Sequence, residues 1–82
     1  MEVLRTAILD FCHRRKAKSF CPSEVARKIF PEDWALFMPD IHSEMMEMYR
    51  EGLILVTQKG ILLEPDQIPK GPVRISGKPK PK

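Results

Sequence analysis

Three sets of side chains in this chain have types that can do chemistry. The first is Cys12, His13, Cys21 and His42, the residues able to hold a metal or supply a thiol nucleophile. None of their separations matches zinc-ligand spacing, and they fall on three different elements, so no metal centre is expected. No glycine-flanked nucleophile elbow and no phosphate-cradling glycine loop is present, so neither nucleophilic hydrolysis nor nucleotide chemistry is indicated. Cys21 stands where a helix should begin, and a helix N-terminus lowers a thiol pKa. It has no histidine or second cysteine at redox spacing, and in a leaderless chain two cysteines read as buried thiols rather than a disulfide.

The second set is acidic. Asp40, Glu44, Glu47 and Glu51 recur at helical spacing, and at about 100° per residue they fall within an arc of roughly 60°. Paired carboxylates can act as general acid and base, but four along one helix face describe a solvated or partner-binding stripe better than a dyad. No enzyme activity and no cofactor are expected. The third set is basic: Arg14, Arg15, Lys16 and Lys18 in one cluster, Lys59 at a turn, and Lys70, Arg74, Lys78, Lys80 and Lys82 near the C-terminus. The five near the C-terminus exceed the whole formal net charge of +3, which leaves a body that is slightly acidic and a basic tail. Cations at the end of a first helix also complement its dipole, so that cluster has a structural as well as a nucleic-acid reading.

These sets must be positioned by a small fold, since 82 residues support one modest core. No stretch approaches the roughly 18 apolar residues of a membrane span. Glu2 precedes the apolar part and the basic cluster follows it, the reverse of a secretory leader, so a cytoplasmic location is expected. Leu4, Ala7, Ile8 and Phe11 predict an amphipathic helix over residues 2–16, with Leu9 off its core stripe as a surface residue. Pro22 at a first helical position and Glu24 as the far member of a capping box predict a second helix with Val25, Ala26 and Ile29 inward. Pro31 ends it. Trp34, Phe37 and Met38 share one side of a short helical turn and read as the aromatic plug of the core.

Pro39 is expected to force Met38 out of helical geometry and to open the main helix itself. Within that helix Ile41, Met45, Met48 and Tyr49 form the core face, while His42, Met46 and Arg50 occupy the other flank, with Met46 as an adaptable contact residue. Gly52 supplies the left-handed stop. The segments 53–58 and 61–64 predict two strands joined by a tight turn at Lys59 and Gly60, and so a very short wing. Their consecutive apolar residues leave neither face clearly wet, so either the following segment or a partner covers the second face. Val73 and Ile75 lie in a stretch able to run extended across the body, and residues beyond Ser76 are too polar to order alone. The domain is therefore placed at 1–76, with a flexible basic tail at 77–82.

The segments CPSEVARKIF (21–30), WALFMP (34–39), QKG (58–60) and KGPVRI (70–75) together resemble a small bacterial family of uncharacterised proteins, a domain of unknown function. The resemblance spans residues 4–75 and implies a mainly α fold with a small β-hairpin, a winged helix-turn-helix, without an assigned activity. Members of that family tend to carry a valine-arginine pair near the start of the main helix, where this chain has Ile41 and His42. A cation is thereby missing from the helix that a winged-helix protein usually lays on DNA.

Two functional readings follow. In one, the basic cluster, the Lys59 turn and the tail contact nucleic acid weakly through its phosphates. The main helix does not read bases, because its four acids outweigh its single Arg50 and the net negative charge would be repelled in a groove. In the other, the winged helix is a protein-interaction module, a monomer or weak homodimer. There the acidic face, with Met46, docks on a basic partner, or the apolar hairpin pairs between subunits.

Overall fold

The computed structural model describes residues 2–15, 18–67 and 71–77. Three helices pack over one face of a three-stranded antiparallel sheet: α1 (Glu2–Arg15), α2 (Pro22–Ile29), a 3-10 turn (Trp34–Phe37), α3 (Met38–Arg50), β1 (Ile54–Gln58), β2 (Ile61–Leu62) and β3 (Arg74–Gly77). Leu4 and Ile8 of α1 are fully buried, and Ala7, Leu9 and Phe11 pack partly buried around them. Leu9 is therefore a flank of the core, not a surface residue. Val25 and Ala26 of α2, Ile41, Met45 and Met48 of α3, and Ile54, Val56 and Ile75 of the sheet complete the interior. Among the described residues no helix is long and apolar enough to cross a membrane.

α2 begins as its sequence requires. Cys21 holds the extended N-cap conformation, Pro22 takes the first helical position, and Glu24 Oε2 accepts the Cys21 N–H at 2.8 Å. The Cys21 sulfur lies 3.1 Å from the Ser23 hydroxyl. Both cysteines are free thiols, and each is half-buried.

The start of α3 departs from expectation. Met38 is helical (φ −59°, ψ −42°), because its N–H bonds to the Ala35 carbonyl and carries the 3-10 turn straight into the helix. Pro39 is then the second helical residue, where a missing N–H leaves no intrahelical bond unmade. Trp34, Phe37 and Met38 are only partly buried, so they seal the rim of the core rather than plug it. Phe37 stacks on Phe30 with ring centroids 3.8 Å apart, and Arg27 lies over the Trp34 ring at 4.3 Å.

After α3, Gly52 (φ +81°) makes the left-handed turn that delivers the chain to β1. β1 pairs with β2 through Thr57 and Leu62, then Gln58 and Ile61. Lys59 (φ +53°) and Gly60 (φ +80°) form the two-residue turn, both left-handed as a type I′ hairpin demands. Yet β1 has a second and longer partner. β3 runs antiparallel along its other side from Ile54 with Gly77 to Thr57 with Arg74, and the sheet order is β2-β1-β3. The short hairpin is thus the wing anticipated, and the strand that completes the sheet on the other side of β1 begins only at Arg74.

β3 is also tied to the start of the chain. Phe20 and Ile75 exchange both backbone hydrogen bonds at 2.8 Å, which extends the sheet by one bridge from the α1–α2 connection. The extended segment anticipated at Val73 and Ile75 is thus a strand from Arg74, with Val73 just before it and both residues in the core. Gly77, placed in the tail by composition, closes that strand; residues 78–82 lie outside the described residues.

Candidate nucleic-acid interface

The basic residues near the end of α1 and the start of β3 each hold a definite set of contacts. Arg14 Nε pairs with Asp10 Oδ2 at 3.0 Å one helical turn back, and Arg15 Nη2 reaches Glu24 Oε1 on α2 at 2.8 Å. Arg15 also lies over the Phe11 ring at 5.7 Å, so its position is set by its own helix and by α2. Lys18 follows, exposed, with its N–H on the Arg15 carbonyl at 2.9 Å. Arg74 joins them from 55 residues away: its Nε donates to Ser19 Oγ at 3.2 Å and its Nη2 to the Ser19 carbonyl at 3.0 Å. Arg15 and Arg74 therefore both act on Glu24, with Arg14 and Lys18 next to Arg15 along the chain. The Glu24 carboxyl is held below the usual carboxylate range chiefly by the Cys21 N–H, which outweighs the opposing effect of burial, with Arg15 and the field of Arg74 adding to it.

Lys59 stands at the same end of the sheet. Arg74 is paired across from Thr57, and Lys59 lies two residues beyond Thr57 at the hairpin tip, fully outside the core. Lys16, Lys70, Lys78, Lys80 and Lys82, the remaining cations singled out by sequence, lie outside the described residues.

The acidic stripe of α3 does not survive as a unit. Glu44 is 5% exposed and turned toward α1, where Arg5 Nε donates to its Oε2 at 2.9 Å. The same guanidinium forks onto Glu51, with Nη1 to Oε1 at 3.0 Å. The 60° arc straddles the line where α3 meets α1, so its four acids divide between two environments. Asp40 and Glu47 face outward, exposed and without an ion-pair partner among the described residues, whereas Glu44 and Glu51 brace α3 against α1. Arg5 holds the Glu51 carboxyl below its ordinary range, and the two carboxylates in turn raise the Arg5 guanidinium. Met46 is 6% exposed and belongs to the core, which removes it as a contact residue. His42 is half-buried, and burial pushes its imidazole pKa down, toward the neutral form.

Arg5 is the functional-looking residue that sequence reasoning passed over. Its position on α1 gives no local sign of it, because its partners are 39 and 46 residues away. Arg50, the one cation of α3, donates to the Pro65 carbonyl just past the wing at 3.3 Å. Tyr49, on the inner side of the same helix, donates its hydroxyl to the Leu63 carbonyl. The main helix thus holds the wing as well as α1.

Among the described residues no group of three His, Cys, Asp or Glu side chains is arranged to hold a metal ion. Burial raises the Cys12 thiol pKa, which disfavours its nucleophilic form.

Helix, helix, turn, helix and then a sheet whose strands flank a long loop define a winged helix-turn-helix domain. The chain matches, over residues 1–77, the family model described as a protein of unknown function, DUF3253, and it belongs to that family. No curated protein matches it.

Proposed function

We propose that this protein is a non-enzymatic winged-helix module that binds nucleic acid through backbone phosphates, along the edge formed by Arg14, Arg15, Lys18 and Arg74 and extended by Lys59. The observation that carries this reading is the seat of Arg74 on Ser19, which adds a distant cation to a cluster already present in sequence. Lys18 and Lys59 make no ion pair among the described residues, so their charges are available to phosphates. Base reading by α3 is not part of the mechanism: its outward Asp40 and Glu47 oppose the phosphates that flank a groove. Lys16, Lys70, Lys78, Lys80 and Lys82 add charge to the same reading from sequence alone. Such binding is weak, indifferent to sequence and steeply dependent on salt.

Fluorescence anisotropy with a labelled duplex at two salt concentrations tests it. Affinity should fall as salt rises, with little difference between unrelated duplex sequences. Absence of binding at low salt would remove this reading.

A second reading is favoured by the same two acids. Asp40 and Glu47, unpaired and exposed on the helix that a winged-helix fold presents to partners, suit a basic protein surface. A pull-down in which Asp40→Lys with Glu47→Lys loses a partner that the unaltered protein retains would place function there instead.

A further inference from the structure

Arg14 and Arg15 are adjacent in sequence, yet the structure commits them differently. Arg14 pairs with Asp10 one turn back on the same helix, and the two side chains are 69% and 53% exposed. A pair so open to water contributes little and gives way to a competing anion. Arg15 reaches across to another helix, where its Nη2 donates to Glu24 Oε1 at 2.8 Å, and its guanidinium also lies over the Phe11 ring. Glu24 is itself fixed from behind. Its second oxygen, Oε2, accepts the Cys21 N–H at 2.8 Å and closes the capping box of α2. A carboxylate tied to the start of its own helix cannot swing away from Arg15 without uncapping α2.

We propose that Glu24 is a built-in competitor for phosphate, which holds Arg15 back from nucleic acid while Arg14, Lys18, Lys59 and Arg74 make the contacts. That role rests on the nucleic-acid reading above and names the residue that limits its strength. A phosphate drawn to Arg15 must share the guanidinium with Glu24 or displace it, and sharing brings two anions together. Arg74 faces no such rival, because the groups it donates to on Ser19 are neutral. Two neighbouring arginines of one helix therefore differ in function: Arg14 serves the ligand and Arg15 serves the fold. In Glu24→Gln the negative charge is gone, but the amide oxygen can still accept the Cys21 N–H, so the competitor is removed and the cap is kept.

Fluorescence anisotropy of the full chain with a labelled duplex, over a series of salt concentrations, tests this. Glu24→Gln should bind about tenfold more tightly at about 0.1 M salt, with a slope of log K against log salt steeper by about 1, since one more phosphate contact is made. Arg15→Gln should change affinity by less than about twofold, whereas Arg14→Gln and Lys18→Gln should each lower it about fivefold. Combining Glu24→Gln with Arg15→Gln should abolish most of the gain and the added slope.

A gain in Glu24→Gln that survives the loss of Arg15 overturns the proposal, because it reports only the removal of a nearby negative charge. Unchanged affinity in Glu24→Gln, in a chain that otherwise binds, also overturns it. So does an Arg15→Gln that weakens binding as much as Lys18→Gln, a comparison that holds even if circular dichroism shows Glu24→Gln to have lost helix. No binding at low salt by either the unaltered chain or Glu24→Gln removes the nucleic-acid reading, and the role of Glu24 with it.

Discussion

The two charged regions of this domain are built in opposite ways. The basic edge is assembled from α1, the α1–α2 connection and β3, and Arg74 is tied there by neutral acceptors, so its positive charge is kept. On α3 the reverse holds: Glu44 and Glu51 both pair with Arg5 and spend their charge on holding α3 to α1. The helix that topology presents to a partner is thus in large part a brace, and the accessible charge sits on the scaffold beside it. Position in a fold and chemistry at that position are separate facts.

That contrast breaks first if the scaffold of the basic edge is removed. Ile75→Ala empties a fully buried site under the bridge to Phe20 and should cost about 3 kcal/mol in urea unfolding, loosening Arg74 and Ser19 together. Next, Lys18→Gln, Lys59→Gln and Arg74→Gln combined should lower duplex affinity about a hundredfold near 0.1 M salt and reduce the slope of log K against log salt by about 2 to 3, if three phosphate contacts go. On the α3 side, Tyr49→Phe removes the hydroxyl that holds the wing carbonyl of Leu63 and should cost about 1 kcal/mol without altering affinity. Asp40→Asn with Glu47→Gln should strengthen duplex binding by less than about threefold, since these acids repel phosphates only from the side. A larger gain, or a new sequence preference, would restore α3 to the interface.

Acid provides the mildest probe of the braces. Glu24 and Glu51 have folded pKa values below those of the unfolded chain, so the stability they supply is present above about pH 4.3 and is lost as pH falls through the lower folded values. Urea midpoints should therefore drop below about pH 4, and Glu24→Gln and Glu51→Gln should each flatten that drop. An unaltered slope in Glu51→Gln would show that Arg5 does not brace α3 through that carboxylate.

Local chemistry made much of this architecture legible in the sequence. The helical period of α1, Pro22 with Glu24 at the start of α2, Gly52 after α3 and Lys59 with Gly60 at the hairpin each act within a few residues, and each is found in the role expected. What escaped depends on distance along the chain. Periodicity placed four acids on one stripe but carried no information on where α1 would lie against it, so the burial of Glu44 and the role of Arg5 were invisible. Met46 failed for the same reason, as its flank is covered by tertiary packing. The short hairpin concealed the longer pairing of β1 with β3, because a tight turn is a local signal and a return after the 59–73 excursion is not. Met38 was misjudged from a rule about prolines that the preceding 3-10 turn overrides.

The loop after the wing also sets how the domain would fail under attack by a protease. Residues 64–67 are exposed and lie between β1 and the strand that completes the sheet, so one cut there leaves β3 joined to the body by noncovalent contacts alone. Those contacts are a four-pair ladder with β1, the bridge to Phe20, and the buried side chains of Val73 and Ile75. The released segment would depart at the rate of local opening and take with it both a wall of the core and the Arg74 cation. Damage at this exposed loop is in this sense global, and the domain's lifetime is governed by its periphery.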